Sequence, residues 1–246
     1  MIVYLSSHIG GSYKQTDGTR MPAKLSTENG LLASLQEHWK NKARVLIISS
    51  DENDIVKNDG FRDIFAAAFP MSGLSVEEMV ICDRRNENIV NRIAEYDAVI
   101  LAGGHVPTQN KFFRKIQLKE HLKDFDGILI GISAGTMNCA ETVYAQPELE
   151  GESIDKEYQR FLPGLGITRL MIIPHYQEIK DGYLDGKRIF EDITYPDSYG
   201  REFYALTDGS YVLIENGTTT LFGEAYLIKD GKKKQICKNG SLQIVK

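Results

Sequence analysis

The sequence predicts an α/β fold of three layers: a mostly parallel sheet with helices on both faces, and an antiparallel β extension toward the C-terminal end. Three observations carry that expectation. Short apolar runs recur at intervals that leave room for a helix between them, the alternation that builds a parallel sheet covered on both faces. After Thr168 the pattern changes to short strands separated by tight-turn signals, Asn216-Gly217 and Asp230-Gly231. No internal repeat or low-complexity linker interrupts the chain, so residues 1–246 read as one domain.

Taken in order, the strand expectations in the first part are Ile2–Ser6, Arg44–Ser49, Val76–Cys82, Ala98–Ala102 and Ile128–Ile132. The intervening helical patterns are Leu31–Lys40, Ile55–Phe69, Ile89–Glu95 and Lys111–Lys123. The second is the clearest, with Ile55, Phe61, Ile64, Phe65 and Phe69 near one face. Arg169–Ile173 reads as a further strand and Leu184–Ile193 as a helix. Glu202–Leu206, Tyr211–Glu215, Thr218–Phe222, Ala225–Lys229 and Leu242–Val245 complete the β extension. The acidic, weakly patterned stretch Tyr144–Leu162 is long for a loop within a compact domain. It reads equally well as an active-site flap or as a surface insertion.

Bulk properties narrow the function classes. With 42% hydrophobic residues the chain can bury a large core, yet its apolar runs are only strand-sized, so no membrane span is expected. The opening Met1-Ile2-Val3-Tyr4-Leu5 lacks a basic region and a cleavage site and reads as a strand; a cytoplasmic location is expected. Cys82, Cys139 and Cys237 are odd in number and far apart, which argues against a disulfide framework or a metal site. A net charge of −5 argues against a general nucleic-acid binder. Lys232-Lys233-Lys234 follows a turn and reads as a solvated hairpin arm. Gly10-Gly11-Ser12 lacks the spacing and lysine of a phosphate loop. The Asp51-Glu52-Asn53-Asp54 cluster lacks the calcium-loop pattern and reads as the start of a helix with an N-cap acid.

Gly131-Ile132-Ser133-Ala134-Gly135 carries the most chemical information. It lies between the apolar run Gly127–Ile130 and a helical segment beginning at Thr136. A serine flanked by small residues at a strand-to-helix junction is the mark of a nucleophile elbow, with the following helix N-terminus aimed at what the hydroxyl attacks. Such a serine needs a base within hydrogen-bond reach. His38 and His121 fall among charged residues of helical patterns and are expected at the surface. His8 and His105 follow strands one and four and could line the same sheet edge. His175 follows the apolar run Met171–Ile173, is stiffened by Pro174, and is the one histidine C-terminal to Ser133; it is the expected base. Cys139 is expected to face the core and to be inert. An α/β-hydrolase would place its histidine late in the chain, whereas here about seventy residues of mostly β pattern follow His175.

The arrangement resembles the dipeptidase E and cyanophycinase family of serine peptidases. Gly131-Ile132-Ser133-Ala134-Gly135 is similar to that family's Gly-x-Ser-Ala-Gly elbow, and Ile173-Pro174-His175-Tyr176 to its Asn-Pro-His-Phe segment. Leu101-Ala102-Gly103-Gly104 resembles its glycine-rich turn after strand four. Ala205-Leu206-Thr207-Asp208-Gly209-Ser210 is a weaker match to a Leu-x-Glu-Gly-Ser segment that supplies an acid. The resemblance implies a class I glutamine amidotransferase-like fold in which serine replaces the catalytic cysteine. It implies no cofactor or metal, a small peptide as substrate, and either a monomer or a homodimer.

What the resemblance implies for single residues follows from the matched positions. Ser133 would be the nucleophile and His175 the general base, and the amides of Gly104 and Ala134 would form the oxyanion hole. Asp208 would orient His175, with Glu148, Glu150 and Glu152 as competitors in the loop after the elbow helix. Lys187 and Arg188 fall where the family holds the carboxylate of an N-terminal aspartate, although a solvated helix face explains them slightly better. The sequence departs from the family at Gly103-Gly104-His105-Val106-Pro107-Thr108 in place of Gly-Gly-Asn-Thr, and at Tyr176 in place of phenylalanine. These departures bear on aspartyl specificity more than on hydrolysis. Three readings remain: a small-peptide serine peptidase, another acyl hydrolase on the same fold (an esterase, amidase or cyanophycinase-like enzyme), and a non-catalytic amidotransferase-like binding protein.

Overall fold

The computed structural model describes residues 1–244. The chain opens with β1 (Ile2–Ser6), a hairpin of β2 (Gly10–Lys14) and β3 (Arg20–Leu25), and α1 (Leu31–His38). It alternates through β4 (Ala43–Ile48), α2 (Ile55–Met71), β5 (Val76–Cys82), a 3₁₀ segment Glu87–Glu95, and β6 (Ala98–Leu101). Helices α3 (Val106–Lys115) and α4 (Leu118–His121) lead to β7 (Ile128–Ile132) and the short α5 (Ala134–Asn138). Then come β8 (Thr142–Tyr144), β9 (Phe161–Pro163), β10 (Met171–Ile173), α6 (Tyr176–Ile179), β11 (Tyr183–Leu184) and β12 (Lys187–Arg188). Helix α7 (Tyr195–Asp197) precedes β13 (Glu202–Leu206), β14 (Tyr211–Glu215), β15 (Thr218–Lys229) and β16 (Lys232–Ile244).

Ten strands form one sheet in the order β10-β13-β15-β14-β1-β7-β6-β4-β5, with β16 added along β15. Strand β1 is the seam. On one side it pairs parallel with β7, Ile2–Ser6 against Ile128–Ile132; on the other it pairs antiparallel with β14, Val3–Ser6 against Ile214–Tyr211. From β7 to β5 all pairs are parallel; around β15 they are antiparallel.

Side chains that alternate along each strand feed two cores. Val3, Leu5, Leu46, Ile48, Val99, Leu101 and Leu129 meet Phe112 and Phe113 of α3 on one face. Tyr4, Val45, Ile47, Ile100 and Ile130 meet Leu35 of α1 and Phe65 and Phe69 of α2 on the other. Each such buried apolar side chain contributes about 1.5–3 kcal/mol by leaving water. Because both faces of the central strands are covered, they read as continuous apolar runs rather than alternating ones. Asp54 caps α2 by accepting the Lys57 N–H at 3.1 Å, the role expected of that acidic cluster.

Several local expectations are corrected. Leu184–Ile193 is not an α-helix: β11 and β12 form a two-stranded hairpin turning at Asp185-Gly186, both with positive φ (52° and 76°), followed by a π-helical turn Ile189–Thr194. Lys111–Lys123 misplaces a helix that begins earlier, at Val106 with Pro107 in its first turn, and breaks at Gln117. The hairpin of β2 and β3 was not expected from the sequence. Thr218–Phe222 and Ala225–Lys229 are halves of one strand, β15, irregular in register around Gly223 and Ala225. The final strand begins well before Leu242, and Val245 lies outside the described residues. Among the described residues no helix is long and apolar enough to cross a membrane.

Candidate active site

The position of Ser133 is set by crowding of the backbone. Ser133 sits between β7 and α5 at φ 51°, ψ −113°, a region costly for a side-chain-bearing residue by about 1–3 kcal/mol. Its neighbours leave no alternative. A Cβ on Gly131 would stand 2.9 Å from the Cα of Thr136, and one on Gly135 would collide with the Leu101 carbonyl. The glycines of the motif therefore permit close approach of elbow, helix and the end of β6. The Ser133 N–H donates to the Ser6 carbonyl at 3.1 Å, and the Thr136 hydroxyl donates to the same oxygen at 2.8 Å.

His175 arrives from the antiparallel side. Strand β10 ends at Ile173, Pro174 follows, and His175 adopts a left-handed conformation (φ 56°) at the start of α6. Its Nε2 lies 2.9 Å from Ser133 Oγ and its Nδ1 lies 2.7 Å from Asp208 Oδ1. With the carboxylate ionised, Nδ1–H donates to Asp208 and Nε2 is left to accept the Ser133 hydroxyl proton. Asp208 sits in the turn from β13 to β14. Its own N–H donates to Gln177 Oε1 at 2.9 Å, and Asn29 Nδ2 donates to the Gly209 carbonyl at 2.8 Å.

Electrostatics follow from this contact. Burial alone would push the Asp208 carboxyl up, but hydrogen bonds from His175 and Ser7 and the charges of His175 and His8 hold it down at about 2. Burial pulls His175 down; the Asp208 hydrogen bond and charge, with Glu178 and Glu148, overcome it and leave the imidazole above its ordinary value. The imidazole and carboxyl side chains remain 27% and 28% exposed, so the site is open to a substrate.

The glycine-rich turn after β6 stands beside the serine: a Cβ on Gly103 would lie 3.3 Å from Ser133 Cβ. Gly104 backs onto Ser50, into which a side chain at that position would collide. The turn is held by buried amides. Gln109 Nε2 donates to the Ala102 carbonyl at 2.6 Å, and Asn138 Nδ2 donates to Gln109 Oε1 at 3.0 Å and to the Val106 carbonyl at 3.2 Å. Ala134 opens α5, where amides lack acceptors within the helix.

Other candidates lie elsewhere. His105 spends both ring nitrogens on Thr108 Oγ1 (2.7 Å) and Glu152 Oε1 (2.8 Å), and His8 Nδ1 accepts the Gly10 N–H at 3.2 Å. His38, expected at the surface, is half-buried between Tyr4 and Glu215. Cys139 is fully buried, and its thiol is pushed far up by that burial. Of the competing loop acids, Glu152 is bound to His105 and to the amides of Glu148 and Leu149, while Glu148 is exposed. Glu150 is exposed. Asp208 is the acid on His175 Nδ1. The hairpin gives Lys187 and Arg188 partners of their own. Lys187 Nζ donates to the Ser153 carbonyl at 2.8 Å, and the Arg188 fork grips Asp192 at 3.0 and 2.6 Å. Residues 144–162 fold into β8, a turn-rich segment and β9, with Asp185 accepting the Gly151 and Ser153 amides.

Among the described residues, the one set of metal-capable side chains close enough to share an ion is His175, Glu178 and Asp208, with ligand atoms within 4.8 Å of one another. Two of those three are already bonded to each other. Sequence reasoning missed Ser6, Ser7 and Gln177. The available signal was two serines ending an apolar strand at the edge where the elbow emerges.

Comparison with known proteins gives the family and the fold. The family model described as Peptidase family S51 matches residues 53–222, well over half of the chain. A peptidase from an acI-B1 Actinobacterium shares the fold with a TM-score of 0.68 at 13% identity, over 99% of this chain and 96% of its own. A protein of Listeria monocytogenes EGD-e, provisionally described as a peptidase E, does so with a TM-score of 0.58 at 15% identity, over 96% and 98%. No curated protein sequence gives a significant match.

Proposed function

The chain belongs to peptidase family S51, a family of serine hydrolases, and from that premise we propose that it cleaves small peptides with Ser133, His175 and Asp208 as its catalytic triad. The observation that supports this best is the continuous line Ser133 Oγ, His175 Nε2, His175 Nδ1, Asp208 Oδ1 at 2.9 and 2.7 Å. In this reading the Ser133 oxygen attacks the scissile carbonyl carbon as its proton passes to His175 Nε2. The oxyanion is held by the amides of Gly104 and Ala134, each such donor being worth about 3 kcal/mol in the transition state. His175 returns the proton to the leaving amine, and a water deprotonated by the same imidazole releases the acyl group from Ser133. Asp208 stays ionised and holds the tautomer.

The finer substrate reading is a dipeptide with N-terminal aspartate. Because Lys187 and Arg188 have intramolecular partners, a second reading has specific support: an acyl hydrolase of broader or different choice, with the same Ser133 and His175 chemistry. The experiment is hydrolysis of Asp-Leu, Asp-Ala, Ala-Leu and Glu-Leu, alongside simple esters, with Ser133→Ala as control. Cleavage confined to the Asp peptides and lost in the variant supports an aspartyl dipeptidase. Cleavage of esters or neutral peptides supports the second reading. Full activity in Ser133→Ala would sink both.

A further inference from the structure

Ser7 lies one residue beyond β1 and is fully buried. Its hydroxyl donates to Asp208 Oδ1 at 2.6 Å and accepts the His175 backbone N–H at 2.8 Å. Its own N–H donates to the Ser210 carbonyl at 3.2 Å, just past Asp208. A serine hydroxyl has one proton, and here it is committed to the carboxylate; Ser7 is therefore no second nucleophile. One oxygen atom touches two members of the triad at once, the acid through its side chain and the base through its backbone.

Resting on the triad reading above, we propose that Ser7 is a positioning residue for catalysis: its hydroxyl fixes His175 in its left-handed conformation and aims Asp208 at Nδ1. The accepted N–H anchors a residue whose φ of 56° is otherwise disfavoured. The donated proton gives Oδ1 a second donor beside the imidazole, so the carboxylate can turn away only by losing both bonds. Ser6, its neighbour, takes the amide of the nucleophile. The Ser6-Ser7 pair thus registers both parts of the site against one strand end.

The test uses the full chain carrying Ser7→Ala, Ser7→Cys or Ser7→Thr, with thermal unfolding to verify folding. The groups that bias His175 are Asp208, Glu178 and Glu148, and those that bias Asp208 are His175, His8 and Ser7; all but Ser7 are retained in these variants. Ser7→Ala is expected to lower kcat by about 10- to 100-fold with KM within about twofold, the scale set by losing a hydrogen bond to a charged group. The acid limb of its kcat/KM profile is expected to move to higher pH, because the hydroxyl dipole no longer offsets the Asp208 charge felt by the imidazole. Ser7→Cys keeps the volume with weaker bonds and should fall between wild type and Ser7→Ala. Ser7→Thr restores the hydroxyl and should recover most of kcat. Wild-type kcat and an unmoved acid limb in a folded Ser7→Ala would overturn the proposal. So would a kcat loss with an unmoved limb, or one that Ser7→Thr fails to rescue, for either would mean a merely structural role. If Ser133→Ala keeps its activity the triad itself fails, an outcome distinct from failure of Ser7 alone.

Discussion

On the parallel side of β1, Ser133 is placed by what the backbone has no room for. Gly131 and Gly135 are required because Thr136 and Leu101 stand where side chains would go, and Ser133 takes the remaining conformation. On the antiparallel side, His175 and Asp208 are placed by hydrogen bonds among side chains: Ser7, Gln177 and each other. Packing of the first kind is nearly all-or-none, since a close-packed interior transmits any added atom as strain. Hydrogen bonding of the second kind is graded, since each donor can be removed singly. The site therefore joins a rigid half to a tunable one.

That contrast can be broken or sharpened by experiment. The largest expected effect is Ser133→Ala, a loss of turnover of about 10⁴-fold or more with little change in thermal stability, read by product release and calorimetry. Ser133→Gly should be equally inactive yet more stable, by about 1 kcal/mol, because glycine accepts the positive φ without strain. Next is Asp208→Asn, which should cost about 10³- to 10⁴-fold in kcat by favouring the wrong imidazole tautomer. A folded, nearly fully active Asp208→Asn would return the acid role to the loop glutamates.

Gly135→Ala, on the rigid side, should destabilise by about 1–3 kcal/mol or prevent folding, measured by urea unfolding. If it is tolerated, crowding does not set the elbow. The smallest effect is expected at Arg188→Ala. The pair with Asp192 is exposed and screened by solvent, and activity on neutral peptides should stay within about twofold. A selective loss on Asp peptides would instead show that Arg188 leaves Asp192 to bind substrate.

Acid–base behaviour divides along the same line. The folded-state value of His175 is raised above 6.5, so its stabilising contribution is full below about pH 6.5 and is lost as pH rises through the folded value. The Asp208 value is depressed from 3.8 to about 2, so its contribution is present above about pH 3.8 and is lost as pH falls through 2. The charged pair thus stabilises most between those limits, whereas the proposed catalysis needs His175 neutral and should rise above them. The stability difference between wild type and His175→Ala should shrink with increasing pH while the wild-type rate grows; parallel pH dependences would contradict the assignment.

Much of this was legible in local sequence. Ala98–Leu101 and Ile128–Ile132 announce themselves because strands buried on both faces are apolar throughout. The elbow was legible because its glycines answer a backbone demand within five residues. Asp208 was ambiguous because its partner His175 lies thirty-three positions away. Leu184–Ile193 was misread because the Asp185-Gly186 turn signal was outweighed by an apolar pattern that serves a π-helical turn. Ser7 carried no motif at all. Its importance arises from Asp208 and His175 arriving at its hydroxyl from distant parts of the chain, a purely tertiary fact.

The seam position of β1 also gives the site a timetable. During synthesis β1 must wait for β7 before it has a parallel neighbour and for β14 before it has an antiparallel one. Ser133 is synthesised well ahead of His175 and further ahead of Asp208, its proposed base and acid. A growing chain that has already built the elbow therefore carries an unactivated alcohol, since a serine without its histidine is a poor nucleophile at neutral pH. In the proposed mechanism, hydrolytic competence arrives only when the antiparallel half closes against β1, so the order of strands in the sheet delays it until β13, β14 and β15 have been made.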